Sequence, residues 1–345
     1  MRFMLVVATA LALAACGEKP QRSALIVFEI DRDELHMSRL KDLSIRVREE
    51  FSEEKPYIEI DPAIGLEMKD KNLFVRTADP ALAEAAMHRI ADLDSVWVLG
   101  PQDDASMEAG WTDTSIQRHF ERSIDSMRDV VSRRLSATPF KNGNVGVVGE
   151  RIEARIPDLT DKDAIGDLAL FLARPGGITW NIIDEAADPA DYPAGEYRSG
   201  RISFPEFQNP EKRYVVMTVP MLKRRDLEGL KNIEAEDGPA LQYMLTKSGA
   251  ERLSVRSAAN VGKTLAIIQD WKVIATRKIE GPIKETQGVI HGNFTKSDAY
   301  RIAAQVWAGP LPVRLKIVEQ SVVDDLPVGK PPAEKPAAAE AKPKT

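Results

Sequence analysis

Along the chain the spacing of apolar positions changes period, and each change marks an element. Residues 24–30 (ALIVFEI) are apolar and β-branched and predict a strand. Leu40, Leu43, Val47 and Phe51 recur at helical spacing. Residues 57–60 and 73–75 predict strands. Asp79-Pro80 predicts a helix start, with Asp as cap and Pro in the first turn, for a helix over 81–93. Residues 96–99 predict a further strand, and 102–110 read as a polar linker. Ile116, Phe120, Ile124, Met127, Val131 and Leu135 then mark one face of a long amphipathic helix, and its Arg, Asp and Glu positions are expected to face solvent.

A pattern repeats further on. Thr160-Asp161-Lys162-Asp163 has the form of a capping box and precedes Ile165, Leu168, Ala169 and Leu172 at helical spacing. Pro175-Gly176-Gly177 stops that helix, and Ile178, Trp180 and Ile182 alternate as a strand. Thr295-Lys296-Ser297-Asp298, Ile302, Ala303 and Val306, Gly309-Pro310, then Val313, Leu315 and Ile317 repeat the same order. An apolar segment precedes each helix, at 152–156 and 289–294. Two such units predict one sheet carrying both helices on one face, in a ferredoxin-like split βαβ arrangement.

The stretch between the units then stands apart as a lobe. Within it, 188–210 is rich in Pro, Gly, Asp and Tyr and reads as loop, while 214–219 and 240–245 read as strands. Ser248 is a candidate cap for a helix using Ala250, Leu253, Ala258 and Val261. Residues 265–268 and 273–275 predict a hairpin around Asp270-Trp271. Trp is costly at positive φ, so a different turn or a longer loop is expected. Trp271 is placed either at an exposed tip or packed back on the lobe.

Composition adds limits. With 345 residues, 43% hydrophobic and 29% charged, the chain is long enough for two or three globular domains. A formal net charge of −6 argues against nucleic acid as partner. The single cysteine, Cys16, excludes an intrachain disulfide. It comes after one early cation, Arg2, and an apolar run over 3–15 that suits a secretory signal and is short for a membrane span. Leu13-Ala14-Ala15-Cys16 resembles a bacterial lipoprotein signal. That resemblance implies removal of 1–15, lipid attachment at Cys16, an anchor and linker over 16–22, and a place on a membrane surface. The other reading is an ordinary signal with an incidental cysteine. Gly17, where many inner-membrane lipoproteins carry Asp, leans toward the outer membrane by resemblance. Residues 324–345, rich in Pro, Ala, Lys and Glu, are expected to be a disordered tail.

One stretch carries a family likeness. Ser248-Gly249-Ala250, Asn260-Val261-Gly262-Lys263, Leu265-Ala266-Ile267-Ile268, Gly292-Asn293-Phe294 and Ala308-Gly309-Pro310-Leu311-Pro312 stand in order and at family-like spacing. Together they resemble the first periplasmic domain of SecD, the accessory subunit of the bacterial protein-export machine. The resemblance implies an α+β fold: a ferredoxin-like split βαβ base over 111–184 and 288–322, an inserted α+β head lobe over 185–287, and an N-terminal α/β module over 23–101. It also implies binding of unfolded or translocating polypeptide, or of the Sec translocon or other envelope proteins, by a head that swings on its base. SecD usually has Asp-Gly at the turn occupied here by Asp270-Trp271. It also continues into membrane helices, and nothing after the base-like segment is apolar enough to span.

Chemistry is otherwise sparse. Asn260-Val261-Gly262-Lys263-Thr264 ends like a phosphate-binding loop, but position 257 is Ser where that motif needs Gly. His36, His88, His119 and His291 share no metal-ligand spacing. No catalytic constellation and no cofactor or metal is expected. Met217, Met221 and Met244 in the lobe are candidates for an adaptable polypeptide-binding surface together with Trp271, with core filling as the other reading of the methionines. The expected function is that of a lipid-anchored, periplasm-facing, non-enzymatic accessory to protein transport. The alternative is a scaffolding envelope lipoprotein that keeps the fold without an export role.

Overall fold

The first strand, β1 (Arg22–Glu29), is buried from Ser23 to Phe28. Its apolar run is unbroken because both faces are covered: Ala24, Ile26 and Phe28 enter one core, and Leu25 and Val27 on the other face are buried as well. The structure is a computed structural model and describes residues 22–50, 59–61, 72–76, 87–93, 96–103, 106–140, 142–198 and 200–324. The signal segment 1–15, Cys16, the Asp79-Pro80 cap and the tail beyond Asp324 lie outside the described residues.

Helix α1 (Arg32–Glu50) turns Leu40, Leu43 and Val47 into a small core. That core is shared with a second sheet, ordered β2 (Glu59–Asp61), β3 (Leu73–Arg76), β5 (Ser106–Gly110) and β4 (Trp97–Asp103), and antiparallel throughout. A helical turn over 87–93 adds Ile90. The polar linker expected over 102–110 instead holds the end of β4 and all of β5, which pair antiparallel. Met107 and Ala109 alternate inward and are buried. Two inward positions beside Gln102-Asp103-Asp104 are too short a pattern to outweigh that polar run.

The base is assembled from distant parts of the chain. Helix α2 (Asp113–Ser136), the hairpin β6 (Asn144–Val148) and β7 (Arg151–Pro157), helix α3 (Lys162–Ala173) and the last strand, β18 (Lys316–Asp324), join β1. The sheet order is β18-β1-β7-β6, with every neighbouring pair antiparallel. Helix α2 covers β6 and β7, and α3 covers β18 and β1. Two interleaved units, β1–α2–β6 and β7–α3–β18, make this a ferredoxin-like split βαβ base. Residues 32–110 are inserted into the first unit and 174–315 into the second.

The fold class is thus as expected, while its parts are distributed differently. Strand β1, grouped by sequence with the N-terminal module, completes the base sheet. The helix beginning after Thr295 does not lie on that sheet beside α3. Its apolar stripe, Ala299, Ile302, Ala303 and Val306, enters the core of the insert. The second βαβ partner of the base is α2, whose length and heavy charge set it apart from the repeat.

The insert holds three small sheets. The first orders β12 (Leu222–Lys223), β8 (Ile178–Ile182), β15 (Thr264–Gln269) and β16 (Lys272–Lys278). The second orders β11 (Arg213–Met217), β10 (Arg201–Pro205) and β9 (Tyr197–Arg198). The third orders β13 (Leu227–Ala235), β14 (Gly238–Leu245) and β17 (Gln287–Ile290), against which α5 (Lys296–Ala308) packs. Residues 188–210, expected as loop, include β10, whose Ile202 and Phe204 face inward against β11. Helix α4 (Lys247–Ala258) is capped by Thr246, which accepts from the Gly249 N–H at 3.0 Å, rather than by Ser248. Likewise α3 is capped by Asp161, and of the two repeated helices it is α5 that forms the reciprocal capping box, between Thr295 and Asp298.

Candidate functional site

The hairpin β15–β16 is closed by Asp270 and Trp271 alone, at φ +47° and +66°. The longer or different turn expected from the sequence is not formed. Left-handed backbone at both central positions is what a tight antiparallel hairpin requires, and for Trp it is strained. The surroundings hold it there. The Asp270 N–H donates to Gly177 O at 3.2 Å, and its carboxylate accepts from the Gly176 N–H. Burial pushes the Asp270 carboxyl upward in pKa, against the pull of that N–H and of the Arg134 charge.

Trp271 is 53% exposed and tilted against Phe204, ring centroids 6.0 Å apart. Both expected placements hold in part: it is at the tip and it touches the lobe. Lys41 of α1 stands 5.8 Å from its ring, within cation–π reach. Nearby, Phe207 meets Phe294 at 6.3 Å and Lys272 at 5.7 Å. These partners are not legible in the sequence because they come from β10, the residues after it, α1 and the 292–294 turn.

The methionines do not converge on this tip. Met221 is 3% exposed inside the insert core, its N–H bonded to Trp180 O at 2.6 Å, so it offers nothing to a partner. Met244 is half-buried on β14, its methyl lying over Gly229 of β13. Met217, 38% exposed at the end of β11, is the one candidate methionine with substantial surface. Among the described residues no group of three His, Cys, Asp or Glu side chains is placed to hold a metal.

Sequence reasoning also misses Arg134. It stands among charges of α2 that read as solvated, yet it is fully buried. It comes after Met127 and Val130 at helical spacing, so it falls on the apolar face. Its guanidinium donates to Leu172 O at 2.9 Å, Pro175 O at 2.8 Å, Gly309 O at 3.1 Å and to Arg174 O. Burial lowers its pKa to about 10, opposed by Asp270, so it remains a cation at neutral pH.

Against known proteins, residues 201–313 match the family model for the SecDF P1 head subdomain. The protein translocase subunit SecD of Rickettsia conorii is 22% identical over 311 residues, covering 86% of this chain and 56% of its own. That of Acetobacter pasteurianus is 27% identical over 227 residues, covering 64% and 42%. That of Dictyoglomus turgidum is 30% identical over 159 residues, covering 42% and 40%. The chain spans about half the length, or less, of these curated relatives. A solved structure of SecDF in a super-membrane-facing form is 22% identical and covers 59% of this chain and 28% of its own, with a TM-score of 0.48. A second, of a SecDF membrane component that enhances protein export, is 23% identical and covers 57% and 92%, with a TM-score of 0.45. The chain therefore carries a SecD-type first periplasmic domain, with its head subdomain over residues 201–313.

Proposed function

We propose that this chain is a periplasm-facing, non-enzymatic accessory to protein transport. In this reading the 174–315 insert contacts unfolded or translocating polypeptide, or the export machinery that carries it. The observation that carries the proposal is the head-subdomain match over 201–313, which contains the hairpin tip. Within that match Trp271 at the tip and Met217 at the end of β11 are exposed apolar side chains, of kinds that suit contact with varied apolar segments. The relatives are named translocase subunits, and the export role is transferred from them as a proposal. Among the described residues no helix is long and apolar enough to cross a membrane. Attachment through a lipidated Cys16, as its signal-like context suggests, would hold the chain at the envelope. The division into base, head and N-terminal module is part of the same reading, with β1 counted in the base.

A photocrosslinking residue in place of Trp271, in cells, tests this. Adducts with secretory precursors or translocon subunits are expected, well above those from the same probe at Val255, which is 71% exposed on α4. Equal or absent adducts at the two positions would overturn the proposal.

A further inference from the structure

The chain leaves the base at 174–177 and returns to it at 309–315, and these two passages run side by side. The Leu311 N–H donates to Pro175 O at 2.7 Å and the Leu315 N–H to Ala173 O at 3.0 Å. Arg134, rooted in the base, grips both passages through the carbonyls of Leu172, Arg174 and Pro175 on one and Gly309 on the other. These carbonyls lie at the C-terminal ends of α3 and α5, where helices leave acceptors unsatisfied and carry partial negative charge. Neither helix has a basic residue in its own last turn. One buried guanidinium serves both, and its planar fork suits several acceptors at once.

Between α5 and the base the seam is mostly polar, while Leu311, Val313 and Leu315 of the return passage sit in the base core. Arg133 donates to Ala308 O at 2.8 Å, Gln305 to Phe171 O at 3.1 Å, and the Tyr300 hydroxyl to Ala137 O. Ala304 is the α5 residue that touches the base core. Bonds of this kind exchange with water at small net cost, so such a seam opens more readily than an apolar core. Against the exit passage the hairpin lays Asp270, its N–H on Gly177 O and its carboxylate on the Gly176 N–H, so that the carboxylate faces the buried Arg134 charge of the base. Gly176, at φ +71°, is held between Arg134 and Asp270, with no room for a Cβ beside the guanidinium.

We propose that the Asp270–Trp271 turn is a catch that fixes the insert's orientation on the base. Asp270 faces the joint and Trp271, the next residue, faces solvent. Both sit in one tight turn, so displacement of the ring moves the carboxylate. The catch itself does not depend on the polypeptide reading, which bears only on what takes hold of Trp271.

Amide hydrogen exchange on the full chain tests it without a ligand. Two variants serve: Asp270→Asn, which keeps the side chain's size, and Asp270→Gly, which removes it while suiting positive φ. The Leu311 and Leu315 amides, which do not bond to Asp270, are expected to exchange about tenfold faster in Asp270→Gly and by an intermediate factor in Asp270→Asn, while β1 and β7 amides keep their rates. Wild-type rates at Leu311 and Leu315 in Asp270→Gly would overturn the catch. So would equal acceleration at β1 and β7, which would make Asp270 a general stability residue.

Discussion

At the scale of single residues, two positions break local rules and do so within reach of each other. Trp271 takes a backbone conformation that favours glycine, and Arg134 places a charge where no water reaches. Each is tolerated because groups far away in sequence compensate: Gly176 and Gly177 for the turn, four carbonyls for the guanidinium. Neither compensation is legible in the sequence. An arginine within a charged helix reads as solvated, and only its helical offset from Met127 and Val130 hints otherwise. Replacing Arg134 by Met keeps an apolar stem of similar length but takes the guanidinium from all four carbonyls, leaving Pro175 O with the Leu311 N–H. Urea unfolding of Arg134→Met is expected to show a loss of about 3–5 kcal/mol. Arg134→Lys is expected to recover only part of it, because an ammonium cannot reproduce the fork.

At the scale of elements, the repeated signals are legible because they are local. Capping residues, apolar stripes and the Gly-Pro stops depend on neighbours a few positions apart. The long-range assignment is not. Helices α3 and α5 share punctuation, yet one covers the base sheet and the other the β13–β14–β17 sheet. What they share in space is the Arg133-Arg134 step of α2, on which both C-terminal ends converge. The short strands β5 and β10 escape the sequence for a related reason, since two inward residues amid polar neighbours carry little periodic signal. The caps are predicted to differ in worth. Thr295→Ala removes the acceptor for the Asp298 N–H and the hydroxyl donor to the Asp298 carboxylate, which keeps the backbone N–H of position 295. It is expected to cost about 1 kcal/mol in urea denaturation, against a smaller loss for Ser248→Ala, whose hydroxyl does not cap α4.

At the scale of the whole molecule, the base sheet is interrupted twice, and each interruption folds into sheets of its own. The ferredoxin-like class is legible once helix and strand signals alternate. Its true strand set is not, because β1 and β18 stand almost the whole described chain apart and pair through backbone groups that no side-chain pattern announces. The second interruption begins and ends at bonded residues. Replacing residues 176–310 by a Gly/Ser linker of about four residues is therefore expected to leave a base that unfolds in one cooperative transition by circular dichroism. Leu311, Val313 and Leu315 would remain to fill its core. A broad, non-cooperative transition would show that the insert is needed to hold the sheet together.

The side-by-side passages at 173–177 and 309–315 also define a load path. Tension applied to the hairpin tip has few routes to the sheet: the polar seam and these two adjacent strands of chain, meeting at Arg134. Because β18 is the outermost strand of that sheet, a sustained pull would arrive at its edge and peel it rather than shear the centre. The seam and the β18 edge would therefore yield before β7 and the centre of the sheet, as a mechanical fuse does.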